Sequence, residues 1–366
     1  MAVIGGSLAG SAAAGALARG GARVVVLERA RFPRPKICGE FLSHEARPVL
    51  ERLGALDDVL AAGPETITRF AVVRPSGRRL EAGLPAPVLS LSRACLDGAV
   101  ARAAERLGAQ RREGVTVTGV EGDLERGFRL ETTGGGLTAR AVVGAWGRYT
   151  ALDGQLGRPF YRRPASLFGF QKHLQGAAEG LRGRAVLHLF RGGYLGLSLV
   201  EGGAVNLAAL ASPEVAKEAH HDVDRLLARL TAESAALRAD LEGLTPLPGP
   251  VLVSEPVHLG RREPLAGDIL LAGDAAGVID PYTGTGMALA LLTGEAAASA
   301  LLEYLCGRLN INALRAAQRR AQAAIAGRRF LWSRYFRPFF AGGFASRFLA
   351  PAAAPLARLA ARLTRG

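Results

Sequence analysis

The stretch that decides the fold runs Gly273-Asp274-Ala275-Ala276-Gly277-Val278-Ile279-Asp280-Pro281-Tyr282-Thr283-Gly284-Thr285-Gly286-Met287. It sits between an apolar strand expected at residues 268–272 and an Ala/Leu-rich helix expected to reach about Leu305. A Gly-Asp pair, six residues, a proline and then Gly-x-Gly-Met opening a helix is too ordered for a chance loop. The free amides at such a helix N-terminus are placed to stabilise negative charge on a ligand.

A second motif of the same kind stands at the other end of the chain. Ala2-Val3-Ile4 reads as a short buried strand, Gly5-Gly6-Ser7-Leu8-Ala9-Gly10 as a tight turn, and 11–19 as an Ala-rich helix. Gly20-Gly21 ends that helix, and 22–27 is a β-branched strand closed by Glu28. Gly5 permits the sharp turn, the small Ser7 lets the backbone approach a pyrophosphate, and Gly10 lets the helix pack close to the strand. The helix N-terminus offers N–H groups to phosphates. Glu28, followed by Arg29, is placed to meet the ribose hydroxyls of an adenosine. The middle glycine of the usual fingerprint is serine here, which leaves a plain strand-turn-helix as the competing reading.

Composition narrows the classes. The chain has 366 residues, 49% of them hydrophobic, enough for a large core. Its formal charge is +14, yet no Asp or Glu follows Glu303, while twelve arginines do, so the preceding 303 residues carry only +2 (14 minus 12). The basicity belongs to the tail, which argues against a nucleic-acid footprint on the body of the protein. Three cysteines, Cys38, Cys95 and Cys306, make neither a disulfide set nor a metal cluster, and a reducing, cytoplasmic setting follows as the expectation. Residues 1–18 are uncharged and mostly small or apolar, but they lack the positive n-region of a secretory signal. No run of about 18 consecutive apolar residues predicts a spanning helix. The six histidines have no ligand spacing, so no metal site is expected and surface or core roles are the default for each.

On these two motifs the chain, from Met1 to roughly Leu305, resembles the FAD-dependent monooxygenases of the aromatic-hydroxylase type and their geranylgeranyl-reductase-like relatives. The resemblance implies an α/β fold: a Rossmann-like FAD-binding domain of the glutathione-reductase type, an inserted antiparallel-sheet substrate domain, and a helical C-terminal tail. It implies that Asp274 binds the ribityl chain, that Pro281 lies beside the flavin ring, and that the amides of Gly284, Thr285, Gly286 and Met287 face the pyrimidine side. Ser92-Arg93-Ala94-Cys95-Leu96-Asp97 is similar to the segment whose arginine contacts the cofactor, making Arg93 a candidate FAD ligand. Phe32-Pro33-Arg34-Pro35-Lys36-Ile37-Cys38-Gly39-Glu40 resembles a segment that passes along the flavin in the reductase-like branch, so Cys38 either faces the ring or is a small core residue. Tyr194, on a strand of the expected substrate sheet, is a third flavin-face candidate. Trp146, in Gly144-Ala145-Trp146-Gly147-Arg148, replaces the family's usual aspartate and weakens any statement about how a nicotinamide docks.

The implied division gives residues 1–65, 90–160 and 255–305 to the FAD-binding domain, 66–89 and 161–254 to the substrate domain, and 306–366 to a basic amphipathic region. Strands are expected at 67–73 and 115–120, a hairpin at 128–130 with 137–143, an antiparallel sheet from 167–174, 185–190, 194–199 and 205–211, and one long helix near 213–241. In the tail, Pro355 starts a helix with a leucine stripe and an arginine stripe, and 330–340 packs six aromatics among arginines. Two readings stand: docking on a membrane surface, or folding over the substrate domain with the arginines in water.

Two functions follow from the resemblance. The first is a hydroxylase, in which NADH or NADPH reduces FAD and one oxygen atom is transferred to a hydrophobic aromatic or polyketide-like small molecule, as in secondary metabolism. The second, an alternative to that first expectation, is a reductase or dehydrogenase acting on carbon-carbon double bonds of a prenyl or other lipid; Cys38-Gly39-Glu40 favours it, whereas Tyr194-Leu195-Gly196-Leu197-Ser198-Leu199 lacks the tryptophan and the Phe-Pro pair usual in that branch. A halogenase lacks support because Trp-x-Trp-x-Ile-Pro is absent. A non-catalytic flavoprotein is the third class, for which Ser7 and Trp146 would be signs of decay.

Overall fold

A computed structural model describes residues 1–162, 167–220, 222–254 and 257–340. Its first sheet has six strands in the order Leu265–Ala266, Ile269–Leu271, Val142–Gly144, Ala2–Ile4, Val25–Glu28 and Gln110–Glu113. All neighbours are parallel except the edge strand Leu265–Ala266. Ala2, Val3, Val142, Val143, Leu270 and Leu271 are wholly buried, which is why these strands read as unbroken apolar runs rather than alternating ones. The order places the strands before the two glycine motifs, Ala2–Ile4 and Ile269–Leu271, on either side of Val142–Gly144.

The helices Leu8–Arg19 and Gly286–Leu305 pack directly on each other, and small residues set how closely. A Cβ on Gly294 would lie 2.1 Å from the Ala9 carbonyl oxygen, so only glycine permits the contact. Gly286–Leu305 is long and apolar enough to cross a membrane, with a mean hydropathy of 1.3, but half of that window is buried inside the protein. Its apolarity serves this packing.

A small sheet of Val117–Asp123, Gly127–Thr132 and Leu137–Ala139 shares the core of the parallel sheet. The expected hairpin partner at 137–143 is therefore two elements: Leu137–Ala139 pairs with Gly127–Thr132, and Val142–Gly144 enters the parallel sheet. The split falls at Arg140, whose guanidinium caps the Leu124 carbonyl and meets Tyr304.

The second large sheet contains the four expected strands, in the order Phe168–Gln175, Val205–Ala211, Gly193–Leu199 and Arg184–Phe190, each antiparallel to the next of the four. It continues through a parallel contact of Arg184–Phe190 with Glu65–Val73, then Arg79–Ser90 and Phe41–Leu42. The expected long helix at 213–241 is three short ones, Pro213–Glu218, Val223–Glu233 and Ala235–Leu241. Each begins at a polar cap, Ser212, Asp222 and Ser234, whose side chain accepts the N–H three residues on. Reading the apolar periodicity alone hid these caps.

The helix Ile311–Phe340 folds back on the body. Arg315 pairs with Asp268 and Arg319 with Glu263, while the Gln318 amide donates to the Leu271 carbonyl. This part of the tail packs chiefly on the helix Gly286–Leu305 and the edge of the parallel sheet, not over the substrate domain as expected, and Arg315 and Arg319 are paired with acids there; the helix expected at Pro355 lies outside the described residues.

Candidate flavin site

The two motifs and the inner face of the second sheet enclose one cavity of about 290 Å³. Of the residues expected at the site, Ser7, Cys38, Arg93, Tyr194, Asp274, Pro281, Gly284, Gly286 and Met287 all line it. Gly5 and Gly10 form the turn behind. Gly5 has a φ of 100°, and a Cβ on Gly10 would lie 1.7 Å from the Gly5 carbonyl oxygen, so the turn and the helix start touch without side chains between them. Ser11 Oγ fixes the turn by donating to the Gly6 carbonyl at 2.7 Å.

Glu28 is 3% exposed and turns inward, accepting the Gly6 N–H at 2.7 Å and the Ala30 N–H at 2.9 Å. Each carboxylate oxygen keeps a second lone pair for a sugar hydroxyl. Arg29 is exposed and outside the cavity lining. Thr285 is buried beneath the helix start, its hydroxyl 3.0 Å from that of Thr283, so its side chain braces the loop rather than facing the cavity.

Ser7 and Trp146 both have structural work to do. The Ser7 hydroxyl donates to Asp97 at 2.7 Å and accepts from Arg93 at 2.7 Å. Arg93 in turn grips Asp97 through Nε and Nη2, both at 2.9 Å, and Asp97 is wholly buried. The serine in place of glycine thus completes a buried ion pair. Most of the Arg93 fork is spent on this cluster, and the arginine lines the cavity from there.

Trp146 turns away from the cavity and covers Gly144, where a Cβ would meet its ring at 2.2 Å. Its indole N–H donates to Asp153 at 3.2 Å, and the same buried carboxylate receives Arg158 at 2.6 Å. Arg158 donates onward to the Ala275 carbonyl at 2.7 Å, while Arg262 donates to the carbonyls of Arg148 at 2.8 Å and Asp274 at 3.0 Å. Both guanidiniums face the Phe160 ring, at 4.8 and 3.6 Å from its centroid. Burial, with Arg158 beside it, pulls Arg262 down to about 10. These two arginines tie the 147–148 and 273–276 loops together; as isolated arginines in irregular segments they carried no signal in the sequence.

Lys36, from the segment that carries Cys38, also lines the cavity. Burial and the Arg93 charge pull its amine down to about 8, against the opposing pull of Asp97 and Asp274. Cys38 has its N–H held by Gln171 at 2.9 Å and its carbonyl by Asn206 at 3.2 Å, and these two amides bond each other at 2.8 Å. Burial pushes its thiol up. Tyr194 is buried with its hydroxyl 3.5 Å from Asp280, and desolvation, with that carboxylate next, raises its phenol well above the usual range.

The pattern fits a dinucleotide flavin. The Ser7 to Ala9 segment at a helix N-terminus would hold the pyrophosphate, with Lys36 supplying positive charge; Glu28 would hold the ribose, Asp274 the ribityl chain, and the Gly284 to Met287 segment the ring. A family model described as an FAD binding domain matches residues 1–171. The menaquinone reductase of Mycolicibacterium smegmatis is 30% identical over 316 residues, covering 81% of this chain and 74% of that protein. The chain belongs to the family of FAD-binding flavoprotein oxidoreductases that includes this reductase. Its fold is similar to that of the flavin-dependent brominase Bmp2, with a TM-score of 0.81 at 20% identity, covering 99% of this chain and 92% of that one. It is also similar to Pseudomonas aeruginosa PqsL in complex with 2-aminobenzoylacetate, with a TM-score of 0.72 at 22% identity, covering 98% and 97%.

Proposed function

We propose that this flavoprotein is a reductase that saturates a carbon-carbon double bond in the prenyl chain of a lipophilic quinone or similar lipid. The observation that carries it is the placement of Cys38-Gly39-Glu40. This segment, the sequence feature pointing to the reductase branch, lines the cavity and is clamped to the substrate sheet by Gln171 and Asn206. The curated relative at 30% identity is a menaquinone reductase, which supports the same branch.

Bound FAD supplies the two-electron chemistry, and NADH or NADPH, docking transiently, is the proposed reductant. The chain's own part is to bind, orient and keep water out. Phe70, Phe170, Leu187 and Leu210 give the cavity an apolar wall suited to a prenyl segment, and the buried, neutral Tyr194 phenol is kept as a hydrogen-bond donor. The same wall accepts an aromatic ring, which keeps hydroxylation of an aromatic small molecule as the second reading.

Mass spectrometry separates the two. The holoprotein, given excess NADPH or NADH and a short-chain menaquinone without oxygen, is expected to yield product heavier by two hydrogens. Product that forms only in air and carries labelled oxygen would overturn the reductase and establish the hydroxylase.

A lipid substrate also suits peripheral membrane contact. On the helix Ile311–Phe340, Leu331 and Tyr335 are 67% and 72% exposed, on an acid-free basic stretch. We expect the full chain to float with vesicles containing anionic phosphatidylglycerol and to release as salt rises; flotation equal on neutral phosphatidylcholine would argue against a role for the arginines.

A further inference from the structure

Two acid pairs border the cavity, and they differ in their access to water. Tyr194 and Asp280 are 8% and 2% exposed, so a proton lost there has no exposed partner within the pair to restore it. Glu40 is 1% exposed and lines the cavity, but its Oε2 lies 2.7 Å from Nε2 of His173, whose side chain is 28% exposed. This pair links the cavity wall at Glu40 to a part-exposed imidazole through a single hydrogen bond.

Glu40 is held for this position at a cost. Its φ is 53°, a left-handed conformation that a residue with a side chain rarely adopts and that concentrates at functional sites. The Ser90 hydroxyl and the Leu91 N–H both donate to its carbonyl, at 3.0 and 3.3 Å. Its Oε1 accepts the Arg93 N–H at 2.9 Å, which leaves Oε2 for His173. A buried carboxylate without such partners would be strongly penalised.

We propose that Glu40 and His173 form the route by which a solvent proton enters the cavity, with Glu40 as the group that delivers it to the substrate. The inference rests on the reductase reading. When the double bond is saturated, one carbon receives a hydride with its two electrons from the reduced cofactor, and the other takes a proton onto the electron pair of the broken π bond. The pair carries one proton, held by His173 beside the Glu40 carboxylate; it passes through their hydrogen bond to Glu40, which gives it to the carbon and is again a carboxylate, and water reprotonates His173. The net addition is one hydride and one solvent proton.

The surroundings support a histidine that stays protonated to higher pH than usual. The hydrogen bond that protonated His173 donates to Glu40 raises its pKa, burial opposes, and the charges of Glu40 and then Glu201 raise it further. Facing the pair are also the Cys38 and Cys95 thiols, both raised by burial, and the Arg93 guanidinium, which hydrogen-bonds Cys38. Turnover limited by this relay falls as pH rises through the His173 pKa, above the ordinary 6.5.

The test uses Glu40→Gln, His173→Gln and His173→Gly in the full-length holoprotein, with the short-chain menaquinone as probe. Expected are unchanged FAD occupancy, a loss of turnover of about a hundredfold, and loss of the alkaline limb of the pH profile. Added imidazole restores the His173→Gly variant. In cofactor-free protein labelled with nitrogen-15 histidine, the His173 titration moves down towards 6.5 in Glu40→Gln. A wild type that saturates the probe no faster than these variants, or a His173 titration that does not move, overturns the relay while the reductase reading stands. A wild type that yields no saturated probe overturns the reading, and the relay's part in saturation with it.

Discussion

Replacing Arg93 with leucine will destabilise the cofactor-free protein by about 3–5 kcal/mol, the range for removing one partner of a buried ion pair. Asp97 is wholly buried and draws two of its hydrogen bonds from Arg93; in the variant it keeps only the one from Ser7. The uncompensated charge, more than the lost attraction, sets the size of the effect. The double variant Arg93→Leu, Asp97→Leu should recover much of the loss, since replacing both partners removes the stranded carboxylate. Urea unfolding of the apoprotein measures both, provided the denaturant slope is unchanged. A single variant within about 1 kcal/mol of wild type would show that the pair is not held as described.

Gly10→Ala will weaken FAD binding by about tenfold to a hundredfold, corresponding to about 1–3 kcal/mol of overpacking. The new methyl would stand 1.7 Å from the Gly5 carbonyl oxygen and 2.9 Å from its carbon, both backbone atoms that cannot swing aside. The helix Leu8–Arg19 must then withdraw from the turn, carrying the amides near Ser7 out of line. Titration of apoprotein with FAD, followed by flavin fluorescence, reads the change. Gly327→Ala, where an added methyl meets nothing within 4 Å, serves as the control. Equal affinities for the two variants would remove the turn from the cofactor site.

The standing of Ser7 and Trp146 changes once their partners are known. In the sequence both depart from a family pattern and invite a reading of decay. In the structure each is bonded to a buried aspartate, Asp97 and Asp153, that also holds an arginine. The departures are compensated locally, and the cavity between the two motifs is intact.

What the sequence determined by itself was whatever chemistry places within a few residues. Glycines that let a turn touch a helix, unbroken apolar runs for the parallel strands, and an ordered Gly-Asp to Gly-x-Gly-Met segment are local demands, so both flavin motifs and the fold class were legible. Only the tertiary structure decided which distant residues share the cavity and its walls. Glu40 meets His173 across 133 residues and Ser7 meets Asp97 across 90, through pairings whose partners have no shared local pattern. The parallel contact between Arg184–Phe190 and Glu65–Val73 was hidden for the same reason, because alternation along one strand records burial but not the direction of its neighbour.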